Sequence, residues 1–292
     1  EKILGPEHPD VANALNNVAA IYMKTKRYEE ALPLEERALA IHTKSFGAKH
    51  PMVATTLRTL AGVHASLNRF DSAEALINQA IEIQRAVYGE NHPELVATYS
   101  TKAGFYFQAK RYQDSLKMMR TATDILRRRF NDDSAAVMVE QKAQRSTFLK
   151  HLEALSHVAG DDELPEELVA EGFTIAQLSR ASSVGRSVAQ MSARFAQGSD
   201  ELSTLVRKQQ DARDALSRSE KSLFSTLLQP AGKRDLVAEA AMQKNIEATR
   251  ADLRQQEKTI SERFPEYGAL VSPAPIDMKQ LQALLSEGEA VV

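Results

Sequence analysis

The stretch Gly5-Pro6-Glu7-His8-Pro9-Asp10-Val11-Ala12 decides the fold, because the chain contains it three times. It returns as Gly47-Ala48-Lys49-His50-Pro51-Met52-Val53-Ala54 and as Gly89-Glu90-Asn91-His92-Pro93-Glu94-Leu95-Val96, with a constant offset of 42 residues. The agreement continues beyond these loops, where equivalent positions hold Ala19, Ala61 and Ala103, then Arg27, Arg69 and Arg111, then Ile41, Ile83 and Ile125. A constant period of this length indicates one structural unit present in three copies.

Each copy is predicted to form two helices. The His-Pro pair suits a helix start, because proline fits the first helical turn. Apolar residues then recur at helical spacing over about 10–24, namely Val11, Leu15, Val18 and Tyr22. A second helix is predicted over about 28–46 from Leu32, Leu34, Ala38 and Ile41, and Gly47 suits its C-terminal cap. The small residues Ala19, Ala61 and Ala103 allow the two helices of a copy to pack closely.

The composition points to an all-α protein. Among 292 residues only 6% are aromatic, and there are 12 Gly and 10 Pro. Sheet proteins usually contain more turn, aromatic and β-branched residues, whereas Ala, Leu, Glu and Arg, which are abundant here, favour helices.

Charge and cysteine content exclude several functional classes. Lys and Arg number 37 against 39 Asp and Glu, whereas proteins that grip nucleic acid usually have a basic excess. The chain has no Cys, which removes thiolate metal ligands and cysteine nucleophiles and fits a reducing compartment. No apolar run approaches the roughly 18 residues that span a bilayer. We expect a cytoplasmic protein with no cofactor and no nucleic-acid or membrane partner.

The second half of the chain predicts a helical hairpin. A degenerate fourth unit keeps the Val11 register at Val137 and is expected to form one helix without a recognisable partner, and a new helix is expected from Pro165. Coiled-coil-like spacing follows in two stretches, Leu202, Leu205, Gln209, Ala212, Leu216, Ser219 and Leu223, then Ile246, Thr249, Leu253, Gln256 and Ile260. The intervening Gln229-Pro230-Ala231-Gly232 suits a chain reversal. The predicted organisation is an α-solenoid over 1–159, a linker with an antiparallel hairpin over 160–276, and a short helix over 277–292.

The repeated small-and-large pattern resembles the tetratricopeptide repeat. Its 42-residue period and Gly-x-x-His-Pro-x-Val-Ala start are similar to the long variant of kinesin light chains, over roughly residues 1–130. In the same register Glu1–Leu4 aligns with Thr43–Phe46, so we expect the chain to begin inside a preceding repeat.

The resemblance implies a partner-binding groove along the first helices. Its positions are Asn13, Asn16, Ala20 and Met23, then Thr55, Arg58, Gly62 and Ala65, then Ala97, Ser100, Gly104 and Phe107. Related proteins often clamp a peptide backbone with an amide at the Asn16 position, since an amide both donates and accepts hydrogen bonds. Arg58 and Ser100 depart from that pattern. A solvated surface, or one covered by the protein's own linker, is the alternative to a binding groove.

A second resemblance concerns the region after the repeats, which looks like bacterial proteins that carry tetratricopeptide repeats before a caspase-like CHAT peptidase domain. The matching segments are Phe173-Thr174-Ile175-Ala176-Gln177, Ala193-Arg194-Phe195-Ala196, Leu202–Leu228, Arg263-Phe264-Pro265-Glu266-Tyr267 and Leu284-Leu285-Ser286-Glu287-Gly288-Glu289-Ala290. This similarity implies that the chain is an N-terminal fragment, with the peptidase's first strand expected at Glu289–Val292. The family's catalytic His and Cys lie further on, so no catalytic residue is assigned.

Other candidate sites have simpler explanations. A metal shared by His8, His50 and His92 is disfavoured, since repeats stack about 10 Å apart and Zn–N bonds are about 2 Å. Arg127-Arg128-Arg129 could bind an anion but also complements a helix C-terminus. Acids at 161–163 and 166–167 could bind a hard cation, but they also suit a helix start. Ser182 and Ser183 beside Arg180 and Arg186 could be phosphorylated, or simply lie on a solvated surface.

These observations indicate a protein-interaction scaffold rather than an enzyme. We expect the groove to bind a peptide or protein partner, and the hairpin to couple that event to a C-terminal caspase-like peptidase absent from this chain. The alternative is a structural or oligomerisation element that self-associates through the hairpin. A cargo adaptor of the kinesin-light-chain kind is a third hypothesis, disfavoured because residues 160–292 do not resemble that family.

Overall fold

The structure is a computed structural model that describes residues 5–132, 137–159, 165–180, 200–227, 229, 234–267 and 276–284. These residues contain helices and no strand. The helices are α1 (Pro9–Lys24), α2 (Tyr28–Phe46), α3 (Pro51–Ser66), α4 (Phe70–Tyr88), α5 (Pro93–Gln108), α6 (Tyr112–Asp132), α7 (Val137–Ala159), α8 (Glu166–Arg180), α9 (Asp200–Leu227), α10 (Leu236–Arg263) and α11 (Met278–Leu284). The chain forms two compact units, Glu1–Leu126 with Ser219–Lys244, and Arg127–Arg218 with Asn245–Val292.

The first helix of every repeat begins at a histidine. Nδ1 of His8, His50 and His92 accepts a hydrogen bond from the backbone N–H two residues further on, at 3.2, 3.1 and 3.2 Å. Proline follows each of them at the first helical position. The imidazole thus satisfies an amide that a helix start leaves without a partner, as Ser or Asp does at other helices. The predicted role of these histidines at helix starts is confirmed.

The turn within each repeat also has a repeated geometry. Lys26, Asn68 and Lys110 have φ values of 60°, 58° and 58°, the left-handed conformation that usually ends a helix. The following arginine N–H donates to a carbonyl five residues earlier, at 2.8 Å for Arg27, 2.9 Å for Arg69 and 2.8 Å for Arg111. Backbone geometry therefore repeats even where the turn residue differs.

The repeats stack by sharing apolar clusters. Ala61, Ala73, Ile77 and Phe105, from α3, α4 and α5, form one buried cluster, and the predicted close-packing residues Ala19, Ala61 and Ala103 are all buried. A polar pair also joins neighbouring repeats, in which Thr98 Oγ1 donates to Gln84 Oε1 at 2.8 Å. The equivalent pair, His42 Nδ1 and Thr56 Oγ1, lies 2.8 Å apart. The predicted array of stacked helix pairs is confirmed.

The described residues of the second unit contain two helix pairs. Helix α7 packs against α8, where His151 Nε2 lies 3.0 Å from Glu171 Oε1, so α8 is the partner that the sequence did not make recognisable. Its partner carries no repeat signature, which is why the 42-residue register misses it. Within this unit α9 and α10 run antiparallel, because Arg213 lies 2.8 Å from Glu257 while Glu201 pairs with Arg263. The seam between α9 and α10 buries Val206, Leu216, Leu253 and Ile260.

Candidate partner-binding groove

The first helices of successive repeats are neighbours. Asn16 Nδ2 on α1 donates to Thr56 Oγ1 on α3 at 3.4 Å. Further along, a Cβ placed on Gly62 would lie 3.9 Å from Met23 Cε, so these two positions face each other across the same pair of helices. Helices α3 and α5 are also in contact. The repeat register therefore produces a continuous surface of α1, α3 and α5.

Most of the predicted groove residues remain accessible on that surface. Four are exposed, namely Asn13, Ala20, Ala97 and Gly104. Seven are half-buried, namely Asn16, Met23, Thr55, Arg58, Gly62, Ser100 and Phe107. Ala65 is different, because it is buried in the cluster with Ala61 and Ile77, and its assignment to the groove was wrong. The longer side chains of Met23 and Phe107, at the equivalent positions, extend past their neighbours to the surface. The methyl group of Ala65 is too short to do so.

Three equivalent groove residues carry polar atoms without partners. Asn16 Oδ1, Arg58 Nε and Ser100 Oγ are all shielded from solvent and make no hydrogen bond to any described residue. Each lies 42 residues from the next, so the three occupy equivalent positions of the repeat. A buried polar atom without a partner costs about 1–3 kcal/mol, which a ligand or a bound water recovers by supplying the missing bond. The three half-buried side chains thus carry one acceptor, one donor and one hydroxyl in a row.

A buried carboxyl group lies behind the groove. Glu35 on α2 is fully buried, and neither of its carboxylate oxygens has a hydrogen-bond partner among the described residues. Burial raises the pKa of Glu35 to about 8, and the positive charge of Arg58 opposes that rise. The equivalent residues in the next repeats are Ile77 and Met119, both in the core. Glu35 was not predicted from the sequence, although aligning it with Ile77 and Met119 would have revealed a charged residue at an apolar position.

The structure describes only some of the residues of the remaining candidate sites. Arg127 and Arg128 are exposed on α6, and Glu166 and Glu167 lie in the first turn of α8. Residues 161–163, Ser182, Ser183, Arg186, residues 193–196 and residues 285–292 lie outside the described residues, as does the side chain of Arg129. Within the described part of the chain, no group of three or more His, Asp or Glu residues could hold a metal ion. None of the helices described is long and apolar enough to span a membrane.

Comparison with known proteins bears on the repeats. The tetratricopeptide repeat family matches residues 10–86 and 69–128. Two solved structures are similar, both of nearly identical TPR-like repeats assigned to a kinesin light chain of Podosopora anserina, the second being a single-substitution variant of those repeats. Each is 15% identical to this chain, with a TM-score of 0.47. The match to the first covers 84% of this chain and 97% of that chain, and the match to the second covers 85% and 98%. No curated protein matches the chain.

The family match and the helix geometry agree on the same segment. The two matched ranges run from the start of α1 to near the end of α6, and together they cover the three 42-residue units and their stacked helices. Tetratricopeptide repeats generally mediate protein–protein interactions and are typically non-catalytic scaffolds. Residues 10–128 of this chain match the tetratricopeptide repeat family and form helix pairs that stack in the same register.

Proposed function

We propose that this protein is an interaction scaffold whose groove binds a peptide or protein partner and couples that binding to a C-terminal caspase-like peptidase. The single observation that carries the groove is the row of unpartnered polar atoms at Asn16, Arg58 and Ser100. These unmet hydrogen-bonding groups occupy the same position of three successive repeats. A solenoid also contacts only its neighbours, so its surface can adjust slightly to a ligand.

The chemistry of the row favours an extended backbone as the ligand. A peptide backbone presents N–H and C=O groups alternately. Asn16 Oδ1 can accept from an N–H, Arg58 Nε can donate to a carbonyl, and the Ser100 hydroxyl can do either. Exposed Ala20 and Gly104 and half-buried Gly62 leave room for such a chain beside these residues.

The coupling to a peptidase is supported by the resemblance of residues 173–177 and 263–267 to the linker of the CHAT family. In the first of these segments, Gln177 Nε2 donates to the Ile276 carbonyl at 3.0 Å and Gln177 Oε1 accepts from the Ile276 N–H at 3.1 Å. Burial raises the pKa of the Tyr267 hydroxyl. A regulatory linker needs packing of this kind to transmit a change from the repeats.

The groove is tested by removing two of its polar side chains together. Asn16→Ala with Arg58→Ala should abolish capture of the partner from cell lysate while the circular dichroism spectrum stays unchanged. Glu36→Ala with Glu82→Ala, at exposed positions of the second helices, is the matched control and should capture normally. Equal capture by both double variants would contradict groove binding.

The coupling needs a separate experiment. The gene is sequenced beyond the codon for Val292 and the complete product is assayed for peptidase activity with and without the captured partner. We expect a cysteine peptidase domain whose rate changes when the groove is occupied. A gene without such a domain would refute the coupling but leave the groove untouched.

A further inference from the structure

The tip of the helical hairpin contacts the repeat array within the first unit. We define the hairpin tip as the described residues of 219–244, which comprise the end of α9 and the start of α10. His50 Nε2 hydrogen-bonds the Leu227 carbonyl, Gln243 Nε2 donates to the Val87 carbonyl at 3.0 Å, and the Phe224 ring stacks on Tyr88 with 6.4 Å between centroids. The tip therefore touches the second repeat at one end, where the start of α3 and the end of α4 lie side by side in an antiparallel pair.

The His50 contact is chemically specific. Its Nδ1 accepts the hydrogen bond from Met52 N–H, so Nε2 carries the proton and donates it to the Leu227 carbonyl. The ring also stacks on Phe46, with 4.5 Å between centroids, and only 1% of His50 is exposed. The equivalent His8 caps α1 in the same way, yet its side chain is 41% exposed. One of the helix-starting histidines thus has a second role that the repeat pattern does not require.

The contacts that join the tip to the repeats are two hydrogen bonds and one aromatic contact. Arg234 and Glu239 form a two-pronged ion pair inside the tip, with Arg234 Nε 2.8 Å from Glu239 Oε1, and both charges influence His50. Leu227 is a buried apolar residue of the tip, whereas Leu236 and Val237 are 69% and 81% exposed. Two of the three contacts use backbone carbonyls as acceptors, and water can replace both when the tip leaves. Contacts of this kind resemble transient interfaces more than permanent ones.

We propose that the hairpin tip is a releasable strap that binds the end of the second repeat where α3 begins and α4 ends, fixes the orientation of that repeat relative to its neighbours, and frees the array to flex when it detaches. Solenoids change shape by small rotations between adjacent repeats. Tyr88 also stacks on His92 with 4.1 Å between centroids, so the strap reaches the residue pair that joins the second repeat to the third. Detachment therefore alters the junction of α4 and α5 as well as the start of α3.

Acidity should weaken the strap. Burial lowers the pKa of docked His50 to about 4, and the bond to Leu227 opposes that effect. The groups that face His50 are Arg234 and Glu239 from the tip and His42 from α2. A released His50 with an ordinary pKa near 6.5 binds a proton at pH values where the docked His50 stays neutral. Docking is therefore unaffected above pH 6.5 and weakens by up to about tenfold per pH unit between 6.5 and 4.

Thiol labelling measures release directly, because the chain has no native cysteine. Leu227→Cys places a thiol at a position that is 1% exposed, and Leu253→Cys places one in the seam between α9 and α10 at the same exposure. A pyridyl disulfide, which reacts at acid pH, then labels each thiol in proportion to the fraction of time that it is open. Rates are divided by those of the unfolded variant at the same pH.

The deciding variant is His50→Asn, because Asn still caps α3 but cannot reach Leu227. We expect it to speed labelling at residue 227 about tenfold and to leave labelling at residue 253 unchanged. His8→Asn, which makes the same exchange at the equivalent cap, should change neither rate. Gln243→Ala leaves the start of α3 intact and should speed labelling at residue 227 about threefold to tenfold.

A pH series completes the experiment. Between pH 7.5 and 5.5 the corrected rate at residue 227 should rise about tenfold in the parent, and this rise should disappear in His50→Asn. Equal rates at residue 227 in His50→Asn and His8→Asn would overturn the proposal. Parallel acceleration at residues 227 and 253 would also overturn it, because the hairpin would then be unfolding rather than detaching. All these readouts are independent of groove binding.

Discussion

At the scale of single residues, the helix-ending glycines have conformations that other residues avoid. Gly47 has φ 89° and ψ 153°, a region that is essentially restricted to glycine. A Cβ on Gly47 would meet no atom within 4 Å, so the cost of substitution comes from the backbone alone. We expect Gly47→Ala to lower the free energy of unfolding by about 1–3 kcal/mol in urea denaturation.

Gly104→Ala is the matched control for Gly47→Ala. Gly104 lies inside α5, and a Cβ there also meets nothing within 4 Å. Alanine favours a helix interior over glycine by about 0.8–1 kcal/mol, so this variant should be more stable than the parent. Destabilisation of both variants by the same amount would show that the Gly47 conformation is not the cause.

Glu35 predicts a stability that depends on pH. Its pKa is about 8 in the folded protein, against an ordinary value of 4.5, so the folded state keeps a proton that the unfolded state loses. Below pH 4.5 the carboxyl group is protonated in both the folded and the unfolded state, so it causes no pH-dependent loss of unfolding free energy. As pH rises from 4.5 to 8 the protein should lose about 1.4 kcal/mol of unfolding free energy per pH unit through this residue.

The measurement compares the parent with Glu35→Gln at pH 5 and pH 8. Gln has the same shape and does not titrate, so its stability should change much less over this interval. Glu35→Met, which installs the residue found at the equivalent position 119, should be more stable than the parent at pH 8. If the parent and Glu35→Gln lose the same unfolding free energy between pH 5 and pH 8, the titrating group is a residue other than Glu35.

At the scale of elements, equivalent helices have the same pattern but different neighbours. Val18 on α1 is 42% exposed, whereas its equivalent Leu60 on α3 is 3% exposed. Helix α3 packs against α2, and none of the described helices covers the equivalent face of α1. We expect Leu60→Ala to cost about 2–5 kcal/mol of unfolding free energy and Val18→Ala to cost about 0.5 kcal/mol or less. Similar losses, measured by denaturation, would mean that another element covers α1.

The helices of the repeats could be predicted closely from sequence. The expected ranges 10–24 and 28–46 compare with Pro9–Lys24 and Tyr28–Phe46, because local signals such as His-Pro and Gly47 mark their ends. The reversal near Gln229 was predicted for the same reason, since α9 ends at Leu227 and α10 begins at Leu236. The pairing of α7 with α8 was not predictable, because contacts such as that of His151 with Glu171 leave no periodic trace.

At the scale of the whole molecule, the contact of His50 with Leu227 joins residues 177 positions apart. The 42-residue repeat compares each segment only with its equivalents in the other repeats. From the sequence, His50 was therefore fully explained as a helix cap. The same register located the groove residues on the surface, with Ala65 as the exception. The binding chemistry of the groove depends on unmet hydrogen bonds at Asn16, Arg58 and Ser100, which only coordinates reveal.

The state of assembly is the last test of the whole molecule. Self-association through the seam of the hairpin would need the apolar residues of that seam, yet Leu216, Leu253 and Ile260 are already buried within one chain. The Arg213–Glu257 ion pair closes the same seam. We therefore expect sedimentation to give a mass near 32.3 kDa that does not rise with concentration.

Leu216→Asp distinguishes the scaffold from an oligomerisation element. A carboxylate in the seam would have to lose its hydration without gaining a partner, so the variant should unfold at lower temperature while its mass stays that of the monomer. Asp214→Ala, at an exposed position on the same turn of α9, should change neither property. A parent whose mass increases with concentration, and falls to the monomer in Leu216→Asp, would favour the oligomerisation hypothesis. The seam would then be shared between chains.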